Sequence, residues 1–221
     1  MTDLTVIYYT GHREDPIFEG RIQQALFSVI GDIPLISVSQ KPIDFGKNIC
    51  VDDVGFSAHN AWRQFQIGAK EAKTRFVCAA ESDYLYPEEY FRFRPDRDGI
   101  FYAAMPVYVL FAQKGKDRIF SLKPTGDYGA IVVNREHLIN RIDQVLYGHG
   151  MWRREKEPHR VTPHLFDRSG NRINFYLSTP IVTFKTDNNL HHRSRHDIST
   201  NTTELPYWGK SADLVKRYFS K

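Results

Sequence analysis

The sequence predicts an α/β protein in which helices flank a mostly parallel central sheet. Short apolar runs alternate with segments whose apolar residues recur at helical spacing, as in parallel strands joined by helices. The 221 residues contain no Pro/Gly/Ser-rich linker or break in composition, so we expect one domain over residues 1–221. A chain of this length can bury a substantial core without disulfides or metal ions to hold it together.

The first half of the chain carries the clearest alternation. Four apolar runs are predicted strands: Leu4–Tyr9, Leu35–Ser39, Asn48–Val51 and Arg75–Ala80. The pair Asp15-Pro16 predicts the start of one helix and Ser57 the cap of another, because these residues favour helix N-termini. The apolar faces of the two helices are Phe18, Ile22, Leu26 and Val29, and then Ala61, Phe65, Gly68, Ala69 and Ala72.

After Pro87 the predicted strands follow one another with short connections. They are Ile100–Met105, Val107–Phe111, Ile119–Leu122, Gly129–Val133, Ile173–Leu177 and Ile181–Lys185. Helices are predicted at Arg135–Leu146 and Ala212–Phe219. The sheet is therefore expected to be mixed, with its parallel part in the first half.

Composition and charge narrow the class of protein further. The net charge of +4 and the isoelectric point of about 9.0 suit an anionic ligand, either a nucleotide or a nucleic acid. No apolar run approaches the roughly 20 residues that cross a bilayer, and no secretory signal is recognised, so we expect a cytoplasmic protein with no membrane partner. Cys50 and Cys78 lie in apolar runs, which favours buried reduced thiols over a disulfide.

An acidic pair follows the most apolar of the predicted strands. Glu81 and Asp83 lie where Arg75–Ala80 ends, and ligands of open α/β sheets bind beyond the carboxyl ends of strands. Two carboxylates would repel a diphosphate unless a cation lay between the carboxylates and the phosphates. Mn²⁺ or Mg²⁺ usually fills that place. The alternative is that the pair only caps the next turn, Pro87-Glu88-Glu89.

The surrounding residues resemble the nucleotide-sugar domain of glycosyltransferases with the GT-A fold, especially those similar to family 2. The run Tyr9-Thr10-Gly11-His12-Arg13 matches the loop after the first strand of that family. The run from Gly55 to Asp83, continued by Leu85-Tyr86-Pro87, matches the segment that leads into its metal-binding D-x-D. The likeness covers roughly residues 4–138. This chain departs from the family in having Glu81 as the first acid and Ser39-Gln40 where an acidic pair is usual.

The resemblance implies roles for several residues in the nucleotide-sugar half of the chain, residues 1–90. Asp83 would be the principal metal ligand, assisted by Glu81. The residues implied to lie near the donor are Thr10, Gly11, Ser39, Gln40, Asn60 and Arg63, with Lys47 as a further diphosphate contact. Structural alternatives stay open: Thr10 can end a strand, Asn60 can serve the helix start, and Arg63 can be a solvated helix residue.

The resemblance also implies roles in residues 91–221, the acceptor-side half. A C-terminal histidine completes the metal site of many GT-A enzymes, and His191 is favoured here over His192, with Arg193 positioned to neutralise the diphosphate. Asp127 would line the acceptor side, and Glu155 and Glu157 fall near the position of a catalytic base. The alternatives are a polar surface loop around His191 and glutamates that only balance neighbouring basic residues.

These observations predict a metal-dependent glycosyltransferase that moves a sugar from a nucleoside diphosphate sugar to a hydroxyl acceptor. A UDP-sugar is the favoured donor. Enzymes that look like this one occur in bacteria and in phages. A phage-encoded enzyme would work in the cytoplasm of the host. One acceptor in phages is a hydroxymethylated base in DNA, with a glycan or protein as the alternative. Two rivals are a nucleotidyltransferase of the same fold and a non-catalytic basic protein that binds nucleic acid.

Overall fold

The fold begins with four parallel strands, of which the first is central. The computed structural model describes residues 3–113, 115–154, 171–189 and 200–220. β1 (Leu4–Thr10) pairs with β2 (Leu35–Ser39) on one side and with β4 (Phe76–Glu81) on the other. β3 (Lys47–Cys50) extends the sheet by pairing with β2. The order β3-β2-β1-β4 places the carboxyl ends of all four strands at one edge.

Two helices cover opposite faces of these strands. α1 (Pro16–Ile30) is capped by the side chain of Asp15, and α2 (Ala58–Glu71) by that of Ser57. Tyr8 of β1 packs in the same apolar cluster as Leu26 of α1, whereas its neighbour Ile7 packs in the cluster of α2. Alternate residues of a strand point to opposite faces, and β1 is buried at nearly every position because a helix covers each side.

The second half of the chain continues the sheet in mixed orientation. β8 (Ile131–Asn134) is antiparallel to β4, and β6 (Phe101–Phe111) is antiparallel to β8. β7 (Phe120–Leu122) also pairs antiparallel with β6, further along that strand. α4 (Arg135–Val145) packs against α2 through Leu138 and Ile142, on the same face of the sheet.

A long strand then returns to the edge where β4 ends. β9 (Arg172–Lys185) is parallel to β6, with a shift of register between Met105 and Val107. Its second half pairs with β5 (Tyr84–Leu85), which follows β4 almost directly. This pairing brings the residues after β4 beside the residues that end β9.

The remaining elements are short. α3 (Glu88–Arg92) follows β5, β10 (Asn201–Thr202) pairs with β7, and β11 (Glu204–Leu205) forms a hairpin with β12 (Gly209–Lys210). α5 (Ser211–Phe219) packs on α1, where the ring of Phe219 stacks on Phe18 with centroids 4.3 Å apart. No helix within the described ranges has the length and apolarity to span a bilayer.

The predicted fold class is confirmed: the protein is α/β, with a central mixed sheet whose first strands are parallel and whose faces carry helices. Two details of the prediction are wrong. Ile100–Met105 and Val107–Phe111 form one strand, and so do Ile173–Leu177 and Ile181–Lys185. Pro106 and Pro180 interrupt these apolar runs in the sequence, but β6 and β9 run through both prolines because they pair with each other along most of their length.

Candidate active site

The acidic pair lies at the carboxyl edge of the parallel strands. Glu81 is the last residue of β4, and the backbone carbonyl of Asp83 accepts a hydrogen bond from the amide of Phe184 at 2.8 Å. This bond continues the β5–β9 pairing and fixes the turn that carries Asp83. Both side chains keep partial contact with solvent.

Each carboxylate accepts a hydrogen bond from a different strand or loop. The hydroxyl of Tyr9 donates to Oε1 of Glu81 at 2.7 Å, and Nδ2 of Asn189 donates to Oδ2 of Asp83 at 2.7 Å. The same amide lies 3.4 Å from Oε1 of Glu14, which also accepts from the hydroxyl of Thr186 at 2.8 Å. The loop after β1 is thereby joined to the acidic pair through the residues that follow β9.

Glu14 is a third carboxylate that the sequence did not reveal. Burial, followed by the charge of Asp83, raises its pKa from 4.5 to about 7. Burial also raises the pKa of Glu81 and of Asp83, and the charge of Asp83 raises that of Glu81 further. Negative charge is therefore unfavourable at this edge, and a cation placed there would be stabilised.

Two lysines offset part of that negative charge. Lys123 and Lys185 both lower the pKa of Glu81 and Asp83, against the larger effect of burial. Lys123 is only 6% exposed, and its ammonium group forms an ion pair with Asp127. The ammonium also lies 5.9 Å from the centre of the Tyr84 ring. The sequence showed Lys123 only as one lysine among many.

The acceptor-side candidate Asp127 lies close to the acidic pair. Its carboxylate accepts a hydrogen bond from the amide of Gly129 at 3.4 Å. This bond caps the 3-10 turn that precedes β8. A Cβ atom added to Gly129 would lie 3.0 Å from the carboxyl carbon of Glu81. The glycine thus lets this segment approach Glu81 closely, and the structure brings Asp127 and Glu81 to the same site.

A cavity of about 230 Å³ opens at the same edge, beyond β1 and β2. Its walls come from three loops and consist of Gly11, Arg13, Gln40, Lys41, Asp53, Gly55 and Phe56. A Cβ atom on Gly11 would lie 3.0 Å from the ring of Phe56, so a side chain at Gly11 would press on that ring. The guanidinium of Arg13 lies 5.2 Å from the centre of the same ring, which is a cation–π distance.

The predicted donor residues at the strand ends are placed at or beside this cavity. Gln40 lines it, and its side-chain amide donates to the carbonyl of Gly55 at 2.7 Å. The hydroxyl of Ser39 donates to the carbonyl of Lys41 at 2.7 Å, and that of Thr10 accepts from the amide of His12 at 3.0 Å. Ser39 and Thr10 therefore shape the loops, while Gly11 and Gln40 face the open space.

Asn60 anchors the loop that forms the far wall. Its side-chain amide donates to the carbonyls of Val54 and Arg153 at 2.7 Å each, and its oxygen accepts from the amide of Arg153 at 2.8 Å. Nδ2 of Asn60 also lies 3.1 Å from the carbonyl of Gly55. Asn60 is only 1% exposed, so it supports the cavity from behind. Arg154 lies beside it and donates to the carbonyl of Asp53.

Two predicted donor contacts lie elsewhere. Lys47 begins β3, three residues before the carboxyl end of that strand, which is a distance of about 10 Å along an extended chain. Its ammonium group forms an ion pair with Glu71 at 2.6 Å. The guanidinium of Arg63 turns toward α4, where it contacts Asp143 at 3.3 Å. Lys47 lies away from the carboxyl edge because it begins a strand, and Arg63 turns away from the cavity because α4 packs on that side of α2.

The other predicted site residues, Glu155, Glu157, His191 and Arg193, lie outside the described residues. Within the ranges that the structure describes, no three or more His, Cys, Asp or Glu side chains are grouped as ligands of one metal ion. Glu81 and Asp83 therefore stand as a pair, with Glu14 linked to Asp83 through Asn189.

No family model and no curated protein matches this sequence. Several solved structures are similar in arrangement at low identity. The bifunctional IspDF from Campylobacter jejuni is 10% identical with a TM-score of 0.45, and the match covers 80% of this chain and 50% of that one. This chain thus spans about half the length of that protein.

Two further structures are similar to this chain. A putative nucleotide-diphospho-sugar transferase from Desulfovibrio desulfuricans G20 is 8% identical, with a TM-score of 0.42 and 80% of each chain covered. S. aureus TarS is 11% identical, with a TM-score of 0.33, and the match covers 63% of this chain and 30% of that one. The strand order and the helices on both faces, described above, are what establish the fold class.

Proposed function

We propose that this chain is a metal-dependent glycosyltransferase that uses a nucleoside diphosphate sugar. One observation carries the proposal: the cavity at Gly11 and Gln40 and the acidic pair Glu81 and Asp83 open at the same carboxyl edge of the sheet. A nucleoside diphosphate bound with its metal ion would place the nucleoside in the cavity and the cation at the acidic pair. Ligands of open α/β sheets bind at this edge.

The residues present fit a divalent cation. Glu81 and Asp83 supply carboxylate oxygens, and Mg²⁺ or Mn²⁺ is usually held by one or two carboxylates together with phosphate oxygens and water. The cation would neutralise the diphosphate as it leaves the sugar. In the GT-A enzymes that this chain resembles, a histidine completes the site, and His191 is our candidate for that role.

The cavity suits an anionic nucleotide. The ring of Phe56 lines the cavity with the guanidinium of Arg13 over it, and Arg13 and Lys41 bring two positive side chains to the cavity walls. Positive side chains around a cleft attract a polyanion and favour its charged form. A UDP-sugar is our first candidate for the donor, and Arg193 our further candidate for neutralising its diphosphate.

Asp127 is our candidate base among the described residues. Lys123 forms an ion pair with it, and the segment that carries it approaches Glu81 closely at Gly129. In the proposed reaction the acceptor oxygen attacks the anomeric carbon, the bond from that carbon to the diphosphate breaks, and Asp127 takes the hydroxyl proton. Glu155 and Glu157 stay alternative candidates for this proton transfer. A hydroxymethylated base in DNA stays our hypothesis for the acceptor, with a glycan or protein as the alternative.

The test combines a donor screen with one substitution. Nucleotide-sugars with Mn²⁺ should raise the thermal unfolding midpoint of the wild-type chain in a concentration-dependent manner. Asp83→Asn, which removes charge but little volume, should abolish that Mn²⁺-dependent stabilisation and the turnover. Asp213→Asn, an exposed position on α5, is the matched control and should behave as wild type.

The products separate the proposed activity from its rivals. A glycosyltransferase releases the nucleoside diphosphate, whereas a nucleotidyltransferase releases pyrophosphate. Wild-type Mn²⁺-dependent binding and turnover in Asp83→Asn would refute the metal assignment. Binding of nucleic acid without any binding of a nucleotide-sugar would favour the non-catalytic alternative.

A further inference from the structure

Asn189 lies where three parts of the acidic edge meet. It belongs to the turn that follows β9, and its side chain contacts both the loop after β1 and the turn after β4. Nδ2 donates to Oδ2 of Asp83 at 2.7 Å and lies 3.4 Å from Oε1 of Glu14, while Oδ1 accepts from the backbone amide of Thr186 at 2.5 Å. The side chain therefore has one orientation, because only its nitrogen can donate to carboxylates and only its oxygen can accept from an N–H.

The turn that carries Asn189 is itself held in place. The hydroxyl of Thr186 accepts from the amide of Asn188 at 3.1 Å, which closes the turn directly after β9. Earlier in the same strand, the amide of Phe184 donates to the backbone carbonyl of Asp83 at 2.8 Å. Asp83 is thus bound to β9 through its backbone and to the following turn through its carboxylate, so both its position and the direction of its side chain are set by the same segment.

The contact with Asn189 leaves Asp83 able to bind a cation. A carboxylate has about four acceptor positions, and the amide of Asn189 uses one of them. Asp83 also keeps partial contact with solvent, so an ion can reach it. An amide carries no net charge and therefore orients the carboxylate without neutralising it, whereas a lysine or arginine in the same place would compete with the metal ion for the same negative charge.

We propose that Asn189 is a positioning residue of the metal site, which holds the carboxylate of Asp83 in one orientation for the divalent cation and does not contact the cation itself. The inference rests on the proposed function and adds a residue that the sequence did not single out. Carboxylates that bind metal ions are usually held by hydrogen bonds of this kind. Loss of such an outer partner typically lowers metal affinity about 10–100-fold, because the ligand is no longer held in the orientation that the metal requires.

The test compares Asn189→Ala with the wild-type chain. At a saturating concentration of UDP, we expect the affinity for Mn²⁺, measured from the EPR signal of the free ion, to fall about 10–100-fold. The EPR spectrum of the bound ion should also change, because the carboxylate of Asp83 is no longer held in one orientation. The affinity for UDP without metal should match that of wild type, since the substitution leaves the cavity walls intact. Asn189→Gln, which keeps an amide donor, should retain more Mn²⁺ affinity than Asn189→Ala.

Asn188→Ala is the matched control, because it makes the same substitution at the neighbouring, exposed position of the same turn. It should leave the Mn²⁺ affinity and the spectrum of the bound ion unchanged. Wild-type Mn²⁺ affinity in Asn189→Ala would overturn the inference, and so would an equal loss in Asn188→Ala or in Asn189→Gln, since the amide of Asn189 would then not be what matters. A wild-type chain that binds neither Mn²⁺ nor UDP would instead refute the proposed function itself, and the inference with it.

Discussion

Replacing Glu14 by glutamine should stabilise the protein at neutral pH, because the carboxylate is held where its charge is unfavourable. Burial and the charge of Asp83 raise its pKa from 4.5 to about 7. At about 1.4 kcal/mol per pH unit this difference is about 3 kcal/mol, and solvent at the partly exposed side chain reduces it to about 1–2 kcal/mol. Glutamine removes the charge and keeps an oxygen that can accept from Thr186.

The sign of the effect depends on pH. Below pH 4.5 the carboxyl group is protonated in both the folded and the unfolded chain, so its ionisation does not affect stability. As the pH rises from 4.5 to about 7, the unfolded chain releases the proton first and the folded state loses relative stability. Above about pH 7 the loss is complete, and only there does Glu14→Gln gain its full advantage.

The assay is thermal unfolding without metal or nucleotide at pH 4 and at pH 8. At pH 8 the unfolding midpoint of Glu14→Gln should exceed that of wild type by about 3–6 °C, and at pH 4 the two should agree. Glu136→Gln on α4 is the control, because this glutamate side chain is 76% exposed. A midpoint difference of equal size at both pH values, or a less stable variant at pH 8, would show that the unfavourable charge at Glu14 is misassigned.

Further substitutions test how the site is supported. Gly68→Ala should destabilise the fold by about 1–3 kcal/mol in urea unfolding, because the new Cβ would lie 2.4 Å from Cγ2 of Ile7. Gly20→Ala, a helix position with no atom within 4 Å of the new Cβ, should instead stabilise it by up to about 1 kcal/mol. Asn60→Ala should cost about 2–3 kcal/mol and weaken UDP binding, because the loop around Gly55 loses its anchor. Normal stability with weakened binding would instead indicate that Asn60 contacts the nucleotide.

The sequence was sufficient for the features that depend on near neighbours in the chain. Helix caps at Asp15 and Ser57, the mostly apolar β1 and the acidic pair at the end of β4 all follow from short-range patterns. A strand covered on both faces is mostly apolar, and polar residues directly after it lie at the edge of the sheet. The α/β class and the place of Glu81 and Asp83 were therefore predictable.

Only the tertiary structure decided which distant side chains meet that pair. Glu14 and Asn189 are 175 positions apart, yet Asn189 contacts both Glu14 and Asp83 because β9 ends beside the turn after β4. Lys123 reaches the site only because β6, β7 and β8 lie next to one another in the sheet. Side-chain type and local spacing carry no information about such pairings, because they are set by which strands are adjacent in the folded sheet. The same limit applies to Arg63, whose contact with Asp143 depends on the packing of α4 against α2.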